Sequence, residues 1–431
     1  MRNALRVLHT FLIAGGALAQ PIAAQQHIVL PDRDRPLAGT PTPVFSVGKE
    51  EGESWEMLAN VQAVAFDRED NVYILDSGNH RVLAFDRSGR FLREIGTEGN
   101  GPGELTFPTG MAVTDDGRIV IADTGRGGFA IFRTDGTYVE NIAGPEGVRP
   151  DGSMGFTVDG GGHAVFRSMP ALGGGRGPID PQKLTRSPIV RVPLRLGAQP
   201  TTLYEIPVPA PKVQQSSQGS GRVMRMVMFS QPTFTPAAAW GALPDGGIAV
   251  THGPEYAIRV VDAGGRVQRI IARDEQPRRV TKRDQERARE QYRERLENPG
   301  SSSGIRVTST SGRGGRGSTS FSFGTGGQPL TEDQIEERLR AMTFADVMPI
   351  VQSLRTDPLG RIWVQCTPDE VGGDGPIDLI SAGGRYLGTL SPRKLPDAVS
   401  ASGLAAWIER DELDVQRVVV RRLPPAWNPT R

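Results

Sequence analysis

From Val61 onward, hydrophobic and polar positions alternate in short bursts. "VQAVAFD", "NVYILD", "RVLAFD" and "RFLREIG" are separated by the turn-forming sets "REDN", "SGNH" and "RSGR". A period of two predicts β-strands, and the denser "NVYILD" predicts a strand buried on both faces. The same grammar returns as "MAVTD", "RIVIAD", "FAIFRT" and "TYVENIA", punctuated by "DDGR" and "TDGT". Laying Asp76 on Asp123, a shift of 47 positions, also lays Ala65 on Ala112, Phe85 on Phe132, Gly89 on Gly136 and Ile95 on Ile142. Four short antiparallel strands recurring at this interval predict the blades of a propeller.

Weaker copies follow. They start at "GFTVDGGGHAVFRS", "AAAWGALPDGGIAV" and "VQSLRTDPLGRIWVQC", and the last is "SGLAAWIERDELDVQRVVVRRL", which provides three strands. The early segment "PVFSVGKEEGESWEMLANVQAVAFD" aligns with "FLREIGTEGNGPGELTFPTGMAVTD", so Val44 to Val47 can be the missing outer strand. An all-β, six-bladed propeller closed by an N-terminal strand in its last blade is the expected fold, because a closed ring leaves no open sheet edge at the seam. The expected divisions are 1–24 signal peptide, 25–42 N-terminal extension, 43–425 propeller and 426–431 tail. The stretch "DSGNHRVLAFDRSGRFLREIG", with "GNGPGEL" and "PTGMAV" after it, resembles NHL-repeat and TolB-like six-bladed propellers of the exported bacterial type. The "RDELDV" of the last blade is similar to the ending of a group of exported bacterial propellers. The resemblance implies a binding scaffold, some of whose relatives are metal-dependent lactonases or lyases.

Three insertions interrupt the pattern, at 169–187, 210–232 and 275–346. The first follows a second strand and the others follow fourth strands, so all three fall on one face of the ring. In the longest, "TKRDQERAREQYRERLENP" predicts a helix with Ala288, Tyr292 and Leu296 on one side. Its charges suggest i,i+3 pairs of Glu286 with Arg289 and Glu290 with Arg293. "LTEDQIEERLRAM" predicts a second helix capped by Thr331. The intervening "GSSSGIRVTSTSGRGGRGSTSFSFGTGG" is low in complexity and is expected to stay unordered.

Composition adds direction. The start, "MRNALRVLHTFLIAGGALAQPIAAQQ", has a basic end, a short apolar run and small residues, as a secretory signal peptide does, with cleavage after Ala19 or Ala24. An exported location, periplasmic or extracellular, follows. Lys+Arg (50) and Asp+Glu (49) cancel, so no global field recruits nucleic acid, and no later apolar run reaches membrane-spanning length. Cys366 is the only cysteine, so stability must come from core burial and not from a disulfide.

Candidate chemistry is sparse. The position of Asp76 runs round the ring as Asp76, Asp123, Ser168, His252 and Cys366, ending at Glu409 or Arg410. With His80 in a neighbouring loop, Asp76, Asp123, His252 and Cys366 are the candidate ligand-binding residues at the insertion-bearing mouth. Asp76 and Asp123 could hold a polar ligand or a hard cation such as calcium, or they could be turn caps. Gly78 is expected to supply a positive φ, and Arg81 to reach back to a carboxylate. His163 sits toward the opposite face, so three histidines do not converge and a zinc site is not expected. With no base beside Cys366, no catalytic residue is assigned. The reading is a binding module for a protein, peptide or small polar ligand. The alternative is a metal-dependent hydrolase or lyase at the channel mouth.

Overall fold

Antiparallel pairing organises the chain into six successive sheets of the propeller. The computed structural model describes residues 25–427 apart from 147, 149, 151, 153–154, 169–184, 209–211, 219–221, 229–230, 298–303, 312–316 and 325–329. The expected signal peptide and most of the first insertion therefore lie outside the described residues.

Blade 1 is Val61–Phe66, Val72–Asp76, Arg81–Phe85 and Phe91–Ile95, paired in that order. Blade 2 is Pro108–Val113, Arg118–Asp123, Gly128–Arg133 and Tyr138–Ala143. Blade 3 is Phe156–Val158, His163–Arg167, Arg186–Pro193 and Thr201–Pro207. Blade 4 is Ala239–Ala242, Ile248–Thr251, Ala257–Val261 and Val267–Ala272, and blade 5 is Val351–Thr356, Ile362–Cys366, Ile377–Ile380 and Tyr386–Leu390. Blade 6 takes Ala398–Val399, Leu404–Arg410 and Gln416–Arg422 from the C-terminal end and its outer strand, Thr42–Val47, from the other.

Second strands such as "VYILD" and "RIVIAD" are almost wholly buried because each blade is covered on both sides. Apolar clusters join blade 1 to 2, 2 to 3, 3 to 4, 4 to 5, 5 to 6 and 6 to 1, so the ring is closed by side-chain packing as well as by the shared strand. Phe85 at the blade 6 to blade 1 seam is fully buried and meets Phe91 and Trp55 edge-on. Burial of such a ring stabilises by about 1.5–3 kcal/mol.

The N-terminal extension is a strap laid across three outer edges. Gln26–Val29 adds a fifth, parallel strand to blade 4, pairing with Val267–Ala272. Pro36 then bridges Thr389 on blade 5, and Thr42–Val47 pairs on blade 6. Leu30 is buried in the blade 4 to blade 5 cluster, and Leu37 packs on the next one.

The long insertion stands on a narrow base, where Val280 N donates to Asp346 O at 3.0 Å and Met348 N to Arg278 O at 2.8 Å. Helix α1, Lys282–Glu297, and helix α2, Glu332–Arg340, follow the predicted positions, and Thr331 caps α2. The ion pairs differ from expectation. Arg293 reaches Glu332 and Glu336 on α2, while Arg283 and Arg287 face Glu370 at 3.6 and 3.3 Å. Partners on the second helix and on the blade 5 loop take up these guanidiniums, and a local contact remains between Arg293 and Glu297 at 3.9 Å. The low-complexity stretch also departs from its expectation. Gly304–Ser311 and Gly317–Gly324 pair as an antiparallel ribbon, for which the alternation in "IRVTSTS" and "STSFSF" is suited. A second ribbon, Lys212–Gln218 with Arg222–Met228, lies beside it.

Candidate functional site

Loops after second and fourth strands share one face of an antiparallel ring, and the long insertion leaves the fourth strand of blade 4 there. Helix α1 rests on the loop between the second and third strands of blade 5, where Gln291 Nε2 donates to Val371 O at 3.3 Å. Arg278 and Asp284 form a bidentate pair at 2.7 and 3.0 Å beneath the helix. That guanidinium, followed by the Thr281 bonds, holds the Asp284 pKa below the usual carboxylate range against the upward push of burial. Beyond α2 the chain returns by bonding to Thr233, with Phe344 6.0 Å from Phe234 and Arg289 over the Phe344 ring at 4.8 Å.

The candidate residues at this mouth have distinct surroundings. Asp76 is fully buried, and its Oδ1 accepts from the backbone N–H of Ala59 and Asn60 at 3.1 and 3.0 Å. Its Oδ2 accepts from Asn79 Nδ2 at 2.8 Å and Arg81 Nε at 3.3 Å. Asp123, also fully buried, accepts from Thr106 N and Phe107 N, each at 2.8 Å. The same pair of crossover amides, displaced by 47 positions, is held in both blades, so each carboxylate ties a second strand to the start of its own first strand. Arg81 reaches the Ser54 and Met57 carbonyls while Arg126 reaches those of Gly99 and Gly101.

The left-handed residue of the "SGNH" turn is His80, at φ 53°, and not Gly78. Gly78 is needed for space instead, since a Cβ there would lie 2.7 Å from that of Ala59. His80 is half-buried in this turn. His252 Nε2 lies 2.7 Å from the Tyr204 hydroxyl. Burial first, and the Arg259 guanidinium second, hold the His252 pKa below its ordinary value.

Cys366 lines a buried polar joint between blades 4 and 5. Its Sγ is 3.9 Å from Asp378 Oδ2, and burial, followed by that carboxylate, pushes its pKa well up, which keeps it a thiol. Asp378 also accepts from Tyr256 Oη at 2.9 Å. Arg273 Nη2 approaches Asp378 at 3.0 Å without the alignment of a hydrogen bond. The structure thus leaves Asp76, Asp123 and Cys366 embedded within separate blades, and among the described residues no group of three His, Cys, Asp or Glu could hold a metal ion. Sequence reasoning missed Arg273 and Asp378, though a charged residue inside the apolar run "IDLI" is a signal for the latter.

The first strands enclose a central cavity of about 680 Å³, lined by Val64, Met111, Trp240 and Arg355 among others. Its wall continues into the loops at Asp115–Asp116 and Asp159–Gly162, which follow first strands, so it opens on the face opposite the insertions.

These features define a six-bladed β-propeller with NHL-like repeats in its first blades. A family model described as "6-bladed beta-propeller" matches residues 56–145. Over 131 residues the chain is 27% identical to the E3 ubiquitin-protein ligase NHLRC1 of Homo sapiens, covering 30% of each chain. The match therefore spans less than a third of that curated relative. Among solved structures, the chain is similar to a member of the DUF4221 family from Bacteroides vulgatus, at 8% identity and a TM-score of 0.47, covering 89% of this chain and 98% of that one. It is also similar to a gluconolactonase of Xanthomonas campestris, at 13% identity and a TM-score of 0.38, covering 91% and 99%. Among the described residues no helix is long and apolar enough to cross a membrane.

Proposed function

We propose that the protein is an exported binding module that takes a protein, peptide or small polar ligand on its insertion-bearing face. The observation that carries this reading is the anchoring of α1 on the blade 5 rim, with α2 held to it through Arg293 and the base closed by the 278–280 and 346–348 pairing. Added elements held by a rigid ring are where binding surfaces are commonly built. The reading assigns no catalytic residue, because the carboxylates at this mouth are filled by amide donors, and it needs no cofactor. A calcium-dependent hydrolase or lyase would instead require those oxygens to be free for the ion.

The test compares the full chain with one in which residues 281–345 are replaced by a short Gly-Ser linker. A ligand recovered with the full chain should be lost from the shortened one while both melt cooperatively. Retention of that ligand by the shortened ring would sink the reading.

A further inference from the structure

Blades 3 and 4 meet along an apolar seam of Val165, Ile189, Leu203, Ile206, Ile248, Val250 and Val261. Toward the insertion-bearing face the seam turns polar. Arg167 lies two residues beyond Val165 on the same side of its strand and pairs across the blade with Ile189, which pairs with Tyr204. From blade 4, Arg259 stands opposite Val250, and His252 lies two residues beyond Val250. Tyr204 and His252 meet, their ring centroids 5.7 Å apart, so the two rows face one another at this level.

The charges in this seam do not balance. Arg167 Nε donates to the neutral Ser187 Oγ at 2.8 Å, and burial pulls its pKa down. Arg259 Nη1 is buried without a hydrogen-bond partner. Among the described residues, neither guanidinium has a carboxylate within ion-pair reach. Four other sheltered arginines do: Arg81 has Asp76, Arg191 has Asp159, Arg273 has Asp378 and Arg361 has Asp357. Of the nearby acids, Glu205 is engaged with Arg186, and Glu255 is exposed and acts on His252.

The equivalent seam between blades 1 and 2 is built differently. Where Arg167, His252 and Arg259 stand, that seam has Leu75, Asp123 and Ala130, all fully buried. Two apolar positions have become arginine, and a carboxylate has become histidine. A sheltered guanidinium without a counter-charge destabilises the fold, so the exchange makes physical sense only where an anion completes it.

We propose that this end of the blade 3 to blade 4 seam is a binding subsite for a small oxyanion, a phosphate or carboxylate group gripped by Arg167 and Arg259 beside Tyr204 and His252. The planar guanidinium fork matches such oxygens, and two forks from adjacent blades can share one group. The subsite goes beyond the binding-face reading and stands whether or not the helical insertion binds anything.

The experiment measures thermal melting of the full chain in low-salt buffer with inorganic phosphate or succinate, against sodium chloride of equal ionic strength. One probe or both should raise the melting temperature above the chloride control, and the responding arm identifies the oxyanion. Arg259→Leu and Arg167→Leu should each lose that shift. Arg259→Leu should melt at or above the wild type without anion, because an uncompensated charge has been removed. No shift with either probe, or an equal shift in both variants, overturns the proposal. Should the leucine variants fail to fold, Arg259→Lys keeps the charge and loses the fork. Its affinity for the responding anion by calorimetry should be about tenfold weaker, and unchanged affinity is equally fatal.

Discussion

Asp34 Oδ1 accepts a hydrogen bond at 2.7 Å from Arg273 Nη1, across 239 positions of sequence. The same guanidinium lies 5.4 Å from the Tyr256 ring, 5.5 Å from the Tyr386 ring and 3.0 Å from buried Asp378. It thereby fastens the N-terminal strap to the joint of blades 4 and 5. Arg273→Ala should destabilise by about 3–5 kcal/mol, because Asp378 is left buried without its counter-charge. Asp34→Ala, at a half-exposed carboxylate, should cost under about 1 kcal/mol. Chemical denaturation of both variants checks this, and equal losses would show that Asp378 does not depend on Arg273.

Asp76 and Asp123 hold crossover amides, so their removal should be felt in folding before it is felt in binding. Asp76→Ala leaves two amides and the Arg81 Nε without their acceptor, for an expected loss of about 3 kcal/mol. Addition of calcium or of a chelator should leave the wild-type melting temperature unchanged. A calcium-dependent rise abolished by Asp76→Ala would mean that the carboxylate serves an ion after all.

Acid should loosen the insertion before the ring. The Asp284 pKa lies below its ordinary value of about 3.8, so its stabilising effect is fully present above that pH. That effect is lost as pH falls through the lower folded-state value. Limited proteolysis should therefore cut within 281–345 increasingly below about pH 4. Asp284→Asn should show the same sensitivity already at neutral pH, and a resistant variant would exclude the Arg278 pair as the anchor.

Gly48 follows the strand that closes blade 6, at φ 124°, and a Cβ there would lie 2.3 Å from the Gln416 carbonyl oxygen. Gly48→Ala should destabilise by more than about 1 kcal/mol, since backbone and not a flexible side chain must give way. A melting curve indistinguishable from the wild type would show that the closing strand tolerates displacement.

Much of this architecture was legible because it is local. The spacing of Asp76 and Asp123, the period-two runs between them and the turn sets that separate those runs are properties of short stretches of chain. Even the two helices followed from their own caps and stripes. What went unread depended on partners from elsewhere. The sequence could suggest that Asp76 was either a cap or a cation ligand, and the amides of Ala59 and Asn60 give it the surroundings of a cap. It could not show that Arg293 would prefer Glu336 on the second helix to Glu290 on its own.

By itself the sequence determined the number of blades and the order of their strands, since alternation and repeat length dictate these without reference to distant contacts. Tertiary structure alone decided that Gln26–Val29 would lie parallel on blade 4, and that Arg167, Arg259 and His252 would share one seam with no acid between the arginines among the described residues. Which side chains meet between blades depends on register and stacking summed over the whole ring, and no short segment contains that information.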